Sequence, residues 1–515
     1  MTEEQKVVVM RDDASAKGRQ AQSMNIRASR AIADTVRSTL GPAGMDKMMV
    51  DEQGNVIVTN DGATILRELD IAHPGAKMIT EMAKMQESIC YDGTTSTVVL
   101  GGQLLSNSEQ LFSKGIHPNI ICRGFNQAAK WAVEYARGTP NGSVDLTLVA
   151  KTAMTGKSVS HSLDTVSDLC VNALKRCGGE RDGVRVISQP GGSLEDSYLF
   201  DGIIIHKEFT LDTMPKGGLH QVLLINQGLM PDKGDDNTQL HLNSADEVIS
   251  YRQRMSKDDL ISKAQTIIDA LPGGGVVFVR DGVGDVICAT LAKAGISVVR
   301  RLQDSQMEAL SCLLGIDIAH DVDDIEGPAL ADEVKEELIG DMKFVVVSRS
   351  RDPDYSSVCT LVLRGATRQT LDETERGFED ALGVVSLAYK DGKVIPGGGS
   401  IYIGMAQHLR QRAADMGGRE QMAVEAFAEA LEIIPATIAE NAGHDPLDTI
   451  LALRNDHQSG NIDYGPDVEK GGTCSMGDLG VFEPLTVVTQ AVQSAAEVAI
   501  SILRIDDIIS RRGDM

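Results

Sequence analysis

Aromatic side chains are scarce in this chain, 3% of 515 residues with a single Trp, so apolar volume comes mainly from Ala, Val, Ile, Leu and 20 Met. Basic residues are outnumbered: 49 Lys and Arg against 74 Asp and Glu give a net charge of −25. Affinity for a phosphate backbone needs clustered cations, so nucleic acid is not expected as a partner. The acidity reads as a solvated surface, with a salt-rich medium or an acidic cavity wall as sharper readings. None of the eight cysteines (Cys90, Cys122, Cys170, Cys177, Cys288, Cys312, Cys359 and Cys474) belongs to a CxxC pair. That argues against a zinc site and a disulfide framework, and for reduced, mostly buried thiols in a cytoplasmic protein. The N-terminus, MTEEQKVVVM, lacks the charged-then-apolar pattern of a signal peptide. No apolar run reads as long enough to cross a bilayer, so no membrane is expected. The ten His show no HExxH spacing. A P-loop also fails, because Asp46 replaces the second Gly of that motif and Met48 follows Lys47.

What is present points to several domains. The length exceeds what one hydrophobic core supports, and about three domains are expected. Met24, Ala28, Ile32, Val36 and Leu40 recur at four-residue spacing, a helical stripe that Gly41-Pro42 ends. Met48-Met49-Val50 and Val56-Ile57-Val58 flank a Gly54-Asn55 turn and read as a hairpin. Asn60-Asp61-Gly62 and Asp92-Gly93 each precede a helix, from Ala63 and from about Thr94 to Leu105. In the middle, 202–205 and 222–225 read as strands, and Ser244 to Glu247 is a capping-box pattern opening a long polar helix. Strand 276–279, helix 286–293 and strand 296–299 form a β-α-β pattern in a candidate α/β domain at about 211–360. A helix returns over Leu371 to Leu387, and Gly397-Gly398-Gly399 punctuates the chain before a mostly helical end.

Three acidic segments could carry chemistry: Thr59 to Gly62, Asp92 to Ser96, and Glu379-Asp380. Phosphoryl transfer needs a magnesium ligand, donors for phosphate oxygens and a carboxylate to orient water. Thr94, Thr95 and Ser96 would start a helix, where free N–H groups favour an anion, and Gly93 would allow close backbone approach. Taken singly, each segment is more often a turn or a helix cap.

Taken together they resemble the group II chaperonins, the archaeal thermosome and its eukaryotic cytosolic relatives. The resemblance is carried by Ala31 to Leu66, Thr360 to Leu382, Gly392 to Gly399 (GKVIPGGG), Glu440 to Arg454 and Ile502 to Ile508 (ILRIDDI), in the family's order over nearly the whole chain. It implies a multidomain α+β fold. A mostly helical equatorial domain would span 1–143 and 397–515, with a small hinge-like intermediate domain at 144–210 and 361–396. An α/β apical domain at 211–360 would bind substrate and carry a helical lid protrusion, the helix near Ser244. It further implies an ATPase that folds unfolded protein substrates inside stacked rings of self or paralogous subunits, with ATP and Mg2+ as cofactors. Carried over by position, Leu40, Gly41 and Pro42 would line the nucleotide and Asp92 would bind magnesium. Gly93, Thr94, Thr95 and Ser96 would hold phosphates, and Asp61 and Asp380 would activate water. Lys157 would sense the γ-phosphate, and Gly398 and Glu483 would lie near the ribose and base. With Asp380 on the intermediate domain, the site would be complete only on domain closure.

Four places depart from the family pattern. Tyr91 stands where the family has Gly, at a backbone conformation a tyrosine adopts only at a cost; its ring is expected to crowd the phosphates, so that Tyr91→Gly speeds hydrolysis. The loop before Lys157 is short, Tyr402 replaces a usual Glu, and the last residues lack the family's Gly-Met tail. The alternatives are a nucleotide-binding structural ring subunit with little ATPase activity, and a monomeric magnesium phosphohydrolase.

Overall fold

The computed structural model describes residues 16–50, 54, 56–140, 145–156, 162–230, 260–340, 342–349 and 358–508. Packing divides the chain into two compact units. One combines Met1–Val171 with Arg376–Met515 and the other is Asn172–Glu375, so both ends of the chain belong to one unit.

The first unit opens on β1 (Ala16–Lys17) and continues through α1 (Arg19–Arg37), β2 (Lys47–Val50), β3 (Val56–Thr59), α2 (Gly62–Glu68), α3 (Pro74–Cys90), α4 (Thr94–Ser113), α5 (Pro118–Gly138) and α6 (Leu146–Met154). The expected hairpin forms: β2 and β3 pair antiparallel with Met49 opposite Ile57, while Asn55 of its turn lies outside the described residues. The expected stripe on α1 is displaced. The buried face is Gln22, Asn25, Ile26, Ser29, Ala33 and Val36, whereas Met24, Ala28 and Ile32 are only half-buried. A strict four-residue spacing drifts around a helix of 3.6 residues per turn, so the true face mixes steps of three and four. The helix from Thr94 runs eight residues beyond its expected end at Leu105.

After α7 (Leu163–Arg176), which crosses the unit boundary, the second unit contains two sheets. β4 (Val184–Pro190), β5 (Tyr198–Phe200) and β12 (Cys359–Gly365) form a three-stranded sheet with β12 central. The larger sheet comprises β6 (Gly202–Ile205), β7 (Leu219–Ile225), β8 (Gly275–Val279), β9 (Ile296–Val299), β10 (Ala329–Ile339) and β11 (Met342–Ser348) in the order β6-β11-β10-β7-β8-β9. Strands β7, β8 and β9 run parallel, and α9 (Asp285–Lys293) connects the last two as the sequence predicts. Their residues are buried nearly throughout, the signature of a parallel sheet covered on both faces. Helix α8 (260–270) and α10 (Asp304–Leu314) share this core through Leu260, Ala264, Ile267, Met307 and Leu310. The polar helix expected from Ser244 to about Leu271, the lid candidate, lies outside the described residues before 260, and its expected last part is helical as α8.

The chain returns through α11 (Arg368–Asp391), then β13 (Val394–Pro396), α12 (Ser400–Ala414), α13 (Arg419–Leu431), α14 (Ile433–Asn441), α15 (Pro446–Gln458), β14 (Tyr464–Pro466), β15 (Thr473–Ser475), β16 (Phe482–Pro484), α16 (Leu485–Leu503) and β17 (Asp507–Ile508). β17 pairs with β1, tying the two ends of the first unit together. One apolar core joins α1, α3, α4, α5, α12, α13 and α16. Contrary to the sequence expectation, α16 is long and apolar enough, by length and composition, to cross a membrane. Val488, Val492, Ala495, Ala499 and Ile502 are nevertheless buried in this core, which accounts for the apolar run. All eight cysteines are free, six of them buried, as expected.

Candidate nucleotide site

A cavity of about 520 Å³ opens in the first unit, and its walls come from segments far apart in sequence. The turn after α1 contributes Leu40, Gly41 and Pro42. Gly41 takes φ 87, and Gly44 closes the turn on the Gly41 carbonyl at 3.0 Å, so close to the backbone that a Cβ there would meet the Thr39 oxygen at 2.2 Å. Asn441 anchors this turn from α14, its Nδ2 donating to the carbonyls of Arg37 at 3.1 Å and Leu40 at 2.8 Å.

Asp61 lines the same cavity and N-caps α2, accepting from Thr64 N at 2.7 Å and Ala63 N at 3.4 Å. The next residue must be small, because a Cβ on Gly62 would fall 2.5 Å from Thr95 Oγ1. That contact seats the Asp61 turn against the first turn of α4. Gly156, also lining the cavity, packs on the Gly41-Pro42 backbone and accepts a hydrogen bond from Asn60.

Asp92 and Gly93 form the turn between α3 and α4. Asp92 Oδ1 accepts from Gly93 N at 2.7 Å, and the Asp92 carbonyl accepts from buried Gln86 Nε2 at 3.0 Å. Gly93 is the N-cap of α4 at φ 76, with no side chain capping the helix. The first N–H groups of α4, from Thr94, Thr95 and Ser96, have no intrahelical acceptors and lie at the cavity wall. A helix N-terminus so exposed is suited to an anion. Tyr91 precedes this turn in the left-handed conformation (φ 61, ψ −3), which costs a non-glycine residue on the order of 1 kcal/mol.

Asp380 reaches the cavity from α11, and Gly398 from the triple-glycine turn, where φ is 62. The cavity therefore gathers Asp380 with Asp61 and Asp92, which lie hundreds of positions before it in sequence, within one compact unit. The lining also includes Ile438, Pro466, Met476, Leu479 and Val481, which supply an apolar surface that a flat heterocycle could cover.

Glu483 does not line the cavity. It lies on β16 opposite Ile395, and its Oε1 is 3.5 Å from where a Cβ of Gly397 would stand, behind the triple-glycine turn. Burial, and then the Asp92 carboxylate, push its carboxyl up to about 8. Tyr402, fully buried in α12, is raised well above the usual phenol range by burial, then by Glu483 and Asp92. Lys157 lies outside the described residues. Sequence reasoning missed Lys151, the one cation among the described lining residues, whose Nζ pairs with Asp164 Oδ1 at 2.5 Å. A lysine four residues before the Thr155-Gly156 turn carries no motif. It also missed the apolar wall, whose residues look like ordinary core.

Comparison with known proteins shows the family of this chain. Residues 32–512 match the family model of the TCP-1/cpn60 chaperonin family. The chain is 42% identical to thermosome subunit beta of Archaeoglobus fulgidus, over 99% of this chain and 95% of that protein. It is 42% identical to a thermosome subunit of Methanopyrus kandleri over 96% and 93% of the two chains. With thermosome subunit alpha of Halobacterium salinarum it shares 41% identity over 99% and 92%. The chain therefore belongs to the TCP-1/cpn60 chaperonin family. Within that family it is a group II chaperonin subunit, and its work is that of a molecular chaperone.

Proposed function

We propose that the cavity binds and hydrolyses ATP, and that the hydrolysis drives an assembled ring of such subunits to fold unfolded proteins in the cytoplasm. The observation that carries the reading is that Asp61, Asp92 and Asp380 line one cavity together with the first residues of α4, whose N-terminus no side chain caps. Thr94, Thr95 and Ser96 would present N–H groups to phosphate oxygens, and the positive-φ glycines Gly41 and Gly93 would let backbone come close without a Cβ in the way. The apolar wall at Met476, Leu479 and Val481 would take the base, with Gly398 beside the ribose.

Among the described residues no three His, Cys, Asp or Glu converge as a metal cluster. Magnesium fits the site in another way: it is commonly held by one or two carboxylates with phosphate oxygens and water, and Asp92 supplies the carboxylate. When bound, the metal–nucleotide complex would supply an electrophilic γ-phosphorus with part of its charge neutralised. Asp61 and Asp380 would orient the attacking water and accept its proton. Asp61 already spends part of its acceptor capacity on the cap of α2, yet an ionised carboxylate has about four lone-pair sites.

The three-domain division, with an intermediate hinge and a lid-bearing apical domain, belongs to the same reading. Steady-state phosphate release by purified assemblies, compared with Asp380→Ala, tests it. Loss of at least about a hundredfold in the variant is expected. Equal rates would remove Asp380 from the chemistry and leave a nucleotide-binding structural subunit.

A further inference from the structure

Among the described residues only Tyr91 and Arg301 are non-glycine residues with positive φ. A left-handed residue closing a helix is usually Gly, sometimes Asn. Tyr91 nonetheless closes α3, its N–H bonded to the Glu87 carbonyl at 2.9 Å. The position of its ring explains the choice. A Cβ added to Gly383 would fall 2.2 Å from Tyr91 Cγ, 2.5 Å from Cδ2 and 2.6 Å from Cβ. The tyrosine thus lies directly against bare helix backbone, in a notch that any side chain at position 383 would fill. Gly383 is on α11, three residues beyond Asp380 and so on the same face one turn away. Tyr91 and Asp380 both line the cavity. Tyr91 is also bonded directly to Asp92. A ring-in-notch contact therefore joins the backbone that presents Asp92 to the helix that presents Asp380.

We propose that Tyr91 is a positioning residue, whose ring in the Gly383 notch sets the spacing between Asp92 and the Asp380 face of α11. The inference rests on reading the cavity as an ATP site. It opposes the expectation from sequence that the ring merely crowds the phosphates. A crowding ring slows turnover and its removal helps; a positioning ring holds the water-activating carboxylate in register and its removal hurts. Glycine at 91 also relieves the left-handed backbone, so Tyr91→Gly is expected to fold and can carry the test by itself.

The experiment compares phosphate release against ATP concentration for assembled wild type, Tyr91→Gly, Tyr91→Phe, Gly383→Ala and the double variant Tyr91→Gly/Gly383→Ala. Tyr91→Gly should lower kcat about tenfold with KM within about twofold, because the loss is of alignment and not of binding. Gly383→Ala should fall similarly, since its methyl expels the ring. The double variant should be no worse than either single change, because both break one contact. Tyr91→Phe, which keeps the ring, should retain more of kcat than Tyr91→Gly. Turnover by Tyr91→Gly equal to or faster than wild type overturns the proposal, as do single-variant losses that multiply in the double variant. Wild type no faster than Asp380→Ala, run beside these variants, removes the hydrolytic reading of the cavity, and the inference with it.

Discussion

The carboxyl of Glu483 is raised to about 8, first because burial strips it of water and then because the Asp92 carboxylate repels its ionised form. The native protein therefore keeps a proton on Glu483 that the unfolded chain, near the ordinary value of 4.5, has already released. Between those values the native state binds more protons, so the group's contribution to stability is full below about 4.5 and declines as pH rises through about 8. Melting of nucleotide-free, magnesium-free protein should show it. From about pH 5 to about pH 8, wild type should lose melting temperature relative to Glu483→Gln, which carries no titratable group there. A difference between the two that stays constant over this range would show that Glu483 does not hold the proton.

On the proposed function Asp61 would have two separable duties. Its cap on α2 is a matter of hydrogen-bond acceptance, whereas its role toward water requires a negative charge. Asp61→Asn should keep the cap and stay within about 0.5 kcal/mol of wild type, since Asn and Asp cap equally well. Its phosphate release should nonetheless fall by about a hundredfold or more. Asp61→Ala should lose the rate and about 1 kcal/mol of stability as well. Denaturant melts run beside the kinetics separate the two effects, and an active Asp61→Asn would exclude the carboxylate from catalysis.

Glu432, at the junction of α13 and α14, is a structural counterpart. Its side chain is 5% exposed and accepts two bonds from Arg410, at 2.6 and 2.7 Å, and two from Arg454, at 2.7 and 2.5 Å. Burial alone would raise its carboxyl, but Arg454 and Arg410 outweigh it and hold the group below its usual range. Its stabilising effect is present above the unfolded value of 4.5 and is lost as pH falls through the lower native value. Glu432→Ala should destabilise the fold by about 2–3 kcal/mol, less than a wholly buried pair because both guanidiniums can still reach solvent. The penalty should shrink below about pH 4.5, which melts at acid pH would check.

Local patterns were legible from residues alone. The hairpin at Met48–Val58, the helix starts after Asp61 and after Asp92-Gly93, and the parallel β8-α9-β9 unit all rest on neighbours in sequence, and all are present. The face of α1 was misread because a single regular spacing stood in for a helix whose core contacts are set by α3, α4 and α16. The apolar wall of the cavity could not be read for a related reason. Met476, Leu479 and Val481 come from the irregular connection between β15 and β16, whose path no sequence periodicity marks.

By itself the sequence determined the residue types that the proposed phosphate chemistry needs, their order along the chain, and the local turns and helix starts that hold them. Those depend on hydrogen bonds and dihedral preferences spanning a few residues. Only the tertiary structure brought Asp61, Asp92 and Asp380 to one cavity, set Glu483 behind the triple-glycine turn, and laid the Tyr91 ring in the notch at Gly383. Such placements depend on the packing of segments hundreds of residues apart, where excluded volume and burial decide the outcome and no local signal records it.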